Sequence, residues 1–249
     1  MPVPELQGIH VLVTRPQAQA DWLCREVEEL GGIPIALPLL EIQAMTPDAN
    51  ALVQVPHADI LIFVSANAVM AGLPHLTELP ATLQIGAIGQ ATADQLRAAG
   101  VRVDLLPAQF DSEAFLALPA VQHLQGKCVV IVRGRGGRET LADHLRARGA
   151  RVHYAEVYRR ACPHWDAQAV TTALRADVIS VTSSEALDNL AQLAHQPGAE
   201  SLLHKPLVVF HARIAGRAHE LGFTLKPVVT EQPCDKAMLA ALRQWANEH

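Results

Sequence analysis

The chain has 249 residues, half of them hydrophobic, with 20 lysines and arginines against 25 aspartates and glutamates, a net charge of −5 and only 4% aromatic residues. That length suits two domains of common size, and the acidic balance with few rings argues against a nucleic-acid groove, which needs a basic stripe or a stacking platform. No apolar run approaches the ~20 residues of a membrane span, and the opening Met-Pro-Val-Pro-Glu lacks the basic and apolar regions of a signal peptide, so a cytoplasmic address is expected. The cysteines Cys24, Cys128, Cys162 and Cys234 form no CxxC pair and read as idle thiols in a reducing compartment. The histidines include no HExxH and no finger-type spacing with cysteine, so no metal site is expected.

In chain order, short β-branched runs alternate with helical stretches and glycines. Residues 9–14 read as a strand, 17–30 as a helix stopped by Gly31-Gly32, and 33–37 as the next strand. Strands continue at 60–64, 84–88 and 101–105, with helices between them and another near 112–121. A second series follows, with strands near 128–132, 151–157, 178–182, 207–210 and 224–228. Several of these runs lack polar alternation, as strands buried on both faces of a parallel sheet do. The expected fold is α/β, with two five-stranded open sheets of the flavodoxin-like kind.

The second series is a copy of the first at an offset of about 118 residues. Val11-Leu12-Val13-Thr14-Arg15 aligns with Val129-Val130-Ile131-Val132-Arg133, Gly31 with Gly149, Ala58-Asp59-Ile60 with Ala176-Asp177-Val178, and Ser65 with Ser183. After an insertion of about four residues, 85–100 matches 207–222. An internal duplication of one α/β unit implies two similar lobes facing one another, and a cleft between lobes is a preferred place for a small molecule.

In open parallel sheets, ligands sit outside the carboxyl ends of the strands. Those ends carry Arg15, Ser65-Ala66-Asn67, Gly89-Gln90-Ala91-Thr92, Arg133 to Arg138, Ser183-Ser184 and His211-Ala212-Arg213. The set is rich in arginine, hydroxyls and glycine, and each member opens a helix whose free N–H groups favour anions. It suits several carboxylates or phosphates and contains no obvious nucleophile with its base. The segment Arg133-Gly134-Arg135-Gly136-Gly137-Arg138-Glu139 resembles a dinucleotide fingerprint, with Glu156 at about the right distance for a ribose hydroxyl. Glu139 stands in the third glycine position, however, and the arginine cluster favours plural carboxylates over one pyrophosphate; a tight turn with solvated arginines is the plain alternative. Ser65, Ser183 and Ser184 suit helix capping whether or not they touch ligand. Neither serine segment is GxSxG. His211 stands where the other copy has Gly89 and reads as a surface histidine. Tyr158, expected just beyond a strand, suits core filling and hydroxyl donation about equally.

Taken in order, these segments resemble the uroporphyrinogen-III synthase family. The resemblance is carried by LVTRPQAQA (12–20), GGIPIALPLLEI (31–42), IFVSANAV (62–69), AIGQATADQLRAAG (87–100), VIVRGRGGRETLADHLRARGARV (130–152), VYRR (157–160), VTSSEAL (181–187) and ARIAGRAHELGF (212–223), spanning nearly the whole chain. It implies a discontinuous first domain, residues 1–37 and 162–249, with residues 42–156 as the second. The two are joined by crossings at 38–41 and 157–161 that lie side by side as a two-stranded hinge. It also implies the reaction, a cofactor-independent and metal-free cyclisation of hydroxymethylbilane with loss of water and inversion of the last ring. Substrate contacts would come from Arg15, Ser65, Asn67, Gly89, Thr92, Arg133, Arg138, Ser183, Ser184 and Arg213, with Tyr158 as candidate general acid. Where many relatives carry a Gly-Pro-Thr-like turn, this chain has His211-Ala212-Arg213, so Arg213 is expected to replace a lost hydroxyl contact. The expected protein is a monomer without nucleic-acid or membrane partners that takes its substrate by transient handover from hydroxymethylbilane synthase. A non-catalytic two-lobe binding protein for a polyanion and a nucleotide-dependent transferase are the readings from other classes.

Overall fold

The β-branched runs form strands β1 (His10–Val13), β2 (Ile33–Ala36), β3 (Glu41–Ala44), β4 (Ile60–Phe63), β5 (Gln84–Ala87), β6 (Cys128–Gly134), β7 (Arg151–Ala161), β8 (Val178–Val181), β9 (Leu207–Val209) and β10 (Val228–Val229). The structure is a computed structural model describing residues 5–76, 79–109, 111–137 and 139–248. These fall into two compact units, one within Met1–Glu41 and Ala161–His249, the other within Ile42–Arg160. The first unit holds a sheet of order β10-β9-β8-β1-β2, the second one of order β3-β7-β6-β4-β5. Pairing is parallel along β10-β9-β8-β1-β2 and along β7-β6-β4-β5.

The register shows how the repeat is used. Val11 pairs with Val178 across β1 and β8, and the same two repeat positions with copies exchanged, Val129 and Ile60, pair across β6 and β4. Likewise His10–Ile33 corresponds to Cys128–Arg151, and Ile179–Leu207 to Leu61–Ile85. Thus β1 and β2 of the first copy join β8, β9 and β10 of the second, while β6 and β7 of the second join β4 and β5 of the first.

Both faces of the second unit's sheet are covered. Leu61, Phe63, Val130 and Val132 belong to one apolar cluster, while Ile60, Ile62, Val129 and Ile131 belong to another. With alternate residues in two dry layers, these strands need no polar positions. A single cluster organises the first unit around β1, β8 and β9. Helices Gln17–Glu29 and Thr140–Ala147 end alike at Gly31 (φ 80°) and Gly149 (φ 88°), whose left-handed backbone lets their N–H groups bond the carbonyls of Glu28 and Arg146, each at 2.9 Å.

Five elements differ from the sequence reading. The segment 101–105 forms only an isolated bridge from Leu105 to Gly86, because Asp104 folds its carboxylate onto the N–H of Ile85 (2.8 Å). The last strand shortens to Val228–Val229, and the helix expected at 112–121 divides into Ser112–Leu116 and a 3₁₀ turn, Pro119–Val121. β3 is an additional strand beside β7. β7 runs through Ala161, so Tyr158 lies within a strand and not beyond one.

Candidate functional site

In the second unit, Phe63 is level with Ala87 and with Val132, so β4, β5 and β6 deliver Ser65, Gly89 and Gly134 to one edge of the sheet. Ser65 caps helix Ala66–Gly72, accepting from the N–H of Ala68 at 3.1 Å, and Asn67 lies in its first turn. Gly89 begins helix Gln90–Ala98 with no side-chain cap, and Thr92 is buried in its first turn. Tyr158 reaches the same edge through an irregularity in β7. Arg133 pairs with Glu156 but Gly134 pairs with Tyr158, so Val157 is an extra residue. Such a bulge re-aims the side chains that follow it. Consecutive Val157 and Tyr158 both enter the same apolar cluster, and the Tyr158 hydroxyl lies 3.2 Å from that of Ser65. The structure therefore brings Ser65 and Tyr158 together, a pairing that nothing in their sequence separation announces.

The first unit repeats the pattern with different termini. Ser183 caps helix Ser184–Ala194 through the N–H of Ala186 at 3.1 Å, with Ser184 as the first helical residue. His211 begins helix Ala212–Glu220 without a side-chain cap, and exposed Arg213 has no ion-pair partner among the described residues. Arg15 is spoken for: its guanidinium pairs with Asp235, at the start of helix Asp235–Glu248, and donates to Gln19 at 2.9 Å.

Its repeat equivalent Arg133 is still more committed. Only 4% exposed, it donates to the carbonyls of Gly134 (3.2 Å) and Gly137 and to the carboxylate of Glu139 (2.9 Å). Its guanidinium also stacks 4.4 Å from the centre of the Tyr154 ring. Tyr154 donates to the other oxygen of Glu139. This bond, and then Arg133, hold the Glu139 carboxyl below the usual carboxylate range, while burial and Glu139 raise the phenol of Tyr154. A Cβ at Gly137 would lie 3.0–3.1 Å from the Arg133 guanidinium. The hollow that a dinucleotide fingerprint keeps for pyrophosphate is thus filled from inside, which disfavours the nucleotide reading. Arg135 points outward, 3.9 Å from Glu156, and Arg138 lies outside the described residues.

Sequence reasoning missed Tyr154 and Asp235, which bind the two repeat-equivalent arginines. The one available signal was Glu139, which broke the glycine fingerprint because its carboxylate has a partner to meet. A cavity of about 480 Å³ lies in the first unit between helix Ala212–Glu220 and the segment leading to β10. Its walls include Ala215, Phe223, Leu225 and Val229, with His219, Thr224 and Lys226 as polar members. No helix among the described residues is long and apolar enough to cross a membrane, and no cluster of metal-ligating side chains occurs among them.

The family model described as uroporphyrinogen-III synthase HemD matches residues 22–240. The chain belongs to the uroporphyrinogen-III synthase family. The uroporphyrinogen-III synthase of Escherichia coli K12 is 34% identical over 245 residues, covering 94% of this chain and 99% of its own. That of Salmonella typhimurium LT2 is 33% identical over 251 residues, covering 94% and 99%. The crystal structure of uroporphyrinogen-III synthetase from Helicobacter pylori 26695 superposes with a TM-score of 0.62 at 17% identity, covering 95% of this chain and 99% of that one, which supports the α/β fold.

Proposed function

We propose that this member of the uroporphyrinogen-III synthase family closes linear hydroxymethylbilane into uroporphyrinogen III, losing one water and inverting the last ring. The observation that carries the reading is the family match along most of the chain. The strand ends support it, since they offer anion donors without a nucleophile and base.

Departure of hydroxide from the terminal hydroxymethyl group leaves an azafulvene cation that the pyrrole nitrogen stabilises. The substituted carbon of the last ring attacks it to give a spiro intermediate, which fragments and recloses at the other position. The proton released at ring closure balances the proton taken up by the departing hydroxide, so no cofactor is consumed. The protein's part is to hold one fold of a flexible chain. Uncatalysed closure gives the uninverted isomer.

In this reading the acetate and propionate arms are held by guanidinium groups and by helix N-termini. Gly89 and His211 leave the first turns of their helices uncapped by side chains, whereas Ser65 and Ser183 fill theirs with hydroxyl oxygens. Arm binding is therefore assigned first to the backbone around Gly89–Thr92 and Ala212–Arg213, to Arg213, and to Arg138 in the glycine-rich turn. Asn67 and Ser184, in the first turns of helices Ala66–Gly72 and Ser184–Ala194, are assigned to arms as well. Arg15 and Arg133 act mainly by fixing the loops. Tyr158 assists the leaving hydroxyl: Ser65, already accepting from Ala68, can donate to the phenol oxygen and leave the phenol hydrogen for the substrate. The enzyme works in the cytoplasm as a monomer, receiving its unstable substrate from hydroxymethylbilane synthase. The test is an assay coupled to hydroxymethylbilane production with isomers resolved after oxidation. A dominant type III product is expected; type I alone would overturn the reading.

A further inference from the structure

We infer that Gly134 is a positioning residue that seats the Tyr158 phenol against Ser65, an inference that rests on the functional reading above. A Cβ added at Gly134 would lie 2.5 Å from Cε2 and Cζ of Tyr158 and 2.9 Å from its hydroxyl oxygen, closer than any side chain tolerates. Backbone conformation is not the reason for glycine here, because Gly134 is not among the residues with positive φ. Its use is the empty space over its Cα. The bulge in β7 sets Tyr158 directly opposite Gly134, and the N–H of Arg135 bonds the Tyr158 carbonyl at 2.8 Å, tying the tyrosine backbone to the turn. With the ring laid on Gly134, the hydroxyl stands 3.2 Å from Ser65 Oγ, itself fixed by Ala68. Tyr158 is only 4% exposed and belongs to a packed cluster, so a ring pushed off Gly134 must move against close-packed neighbours. In the glycine-rich turn, then, this glycine serves the tyrosine and not a phosphate.

The experiment is Gly134→Ala in the full chain, with kcat, KM and the isomer ratio measured beside Tyr158→Phe and Tyr158→Ala. Because the chain has two tyrosines, 3-fluorotyrosine labelling gives one fluorine resonance each, assigned with Tyr154→Phe. Gly134→Ala is expected to move the Tyr158 resonance and leave that of Tyr154. It should lower kcat by roughly ten- to a thousandfold, the range of a positioned acid, with KM little changed. On the Tyr158→Ala background, where the added methyl has room, it should lower kcat no further. An additive loss on that background, or unchanged kcat with a displaced Tyr158 resonance, overturns the inference. Should Gly134→Ala fail to fold, the Gly134→Ala/Tyr158→Ala double variant carries the test: with the ring removed the clash is gone, so it must fold with the kcat of Tyr158→Ala, and a double variant that also fails to fold refutes the seat. A wild-type protein that makes no type III isomer would instead sink the functional reading itself.

Discussion

At the scale of single residues, the strand-end side chains divide by whether the protein has already used them. Arg15 and Arg133 occupy equivalent repeat positions and are both tied to acidic groups of their own unit. Arg213 is exposed and unpaired among the described residues. The two kinds of arginine should respond differently to truncation. Arg15→Ala leaves Asp235 without its cation and should lower the melting temperature, with KM following only as the fold loosens. Arg213→Ala should leave the melting temperature unchanged and raise KM by roughly tenfold with kcat nearly intact, the pattern of lost uniform binding. Paired melting curves and steady-state kinetics decide it, and a collapse of kcat in Arg213→Ala would assign it a transition-state role. For Tyr158→Phe the expected pattern is the converse, kcat down by roughly ten- to a thousandfold and KM little changed. The type III isomer should still dominate, because ring folding and not proton donation selects it. Near-wild-type kcat in a folded variant would leave Tyr158 as core packing alone.

At the scale of elements, the repeat preserves a device at the start of the central strand pair. The Asp59 carboxylate accepts from the N–H of Cys128 at 2.8 Å, and the equivalent Asp177 accepts from the N–H of His10 at 2.8 Å. Each joins a strand of one copy to a strand of the other. Lys127, then the N–H of Cys128, hold the Asp59 carboxyl below the ordinary aspartate range. A depressed folded-state value stabilises the fold above the unfolded value and loses that contribution as pH falls through the folded one. Asp59 is partly exposed and water screens its ion pair, so Asp59→Asn should cost at most about 1 kcal/mol near neutrality, and the gap to wild type should close on acidification below about pH 4. Urea melts at several pH values test this; a gap independent of pH would show that the bond does not depend on charge. The Ala-Asp-Ile and Ala-Asp-Val matches were visible in the sequence, and so were the doubly buried strands, because two dry faces leave no polar alternation. β3 was not visible, since Glu41-Ile42-Gln43-Ala44 is half exposed and becomes a strand only by pairing with β7. The commitments of Arg133 were hidden for a similar reason: a sequence displays a cation, but its partners Tyr154 and Glu139 are set by the register of β6 and β7.

At the scale of the whole molecule, the exchange of strands between copies governs how the chain can be divided. A cut between Gln122 and His123, both exposed, separates the first copy from the second. If each copy were a unit, residues 1–122 would carry one complete sheet and fold alone. Instead they carry β1 and β2 of one sheet with β3, β4 and β5 of the other, and lack β8 and β6, the central neighbours of β1 and β4. Fully buried residues such as Leu12, Leu61 and Phe63 would then face water, at roughly 1.5–3 kcal/mol for each large side chain, far more than a marginally stable domain can lose. The fragment 123–249 has the complementary deficit. Neither fragment is expected to show a cooperative melt by itself. Mixed or co-expressed, the two hold the complete strand set of both sheets, and Arg148 of the second can again bond the carbonyls of Leu116 and Val121 near the cut end of the first. They should recover a one-to-one complex with the far-ultraviolet dichroism of the intact chain and cyclising activity, measured after co-purification through a tag on one fragment. A cooperative thermal transition in residues 1–122 alone would mean that the strands can pair within one copy, and the exchanged register would not be what defines the fold.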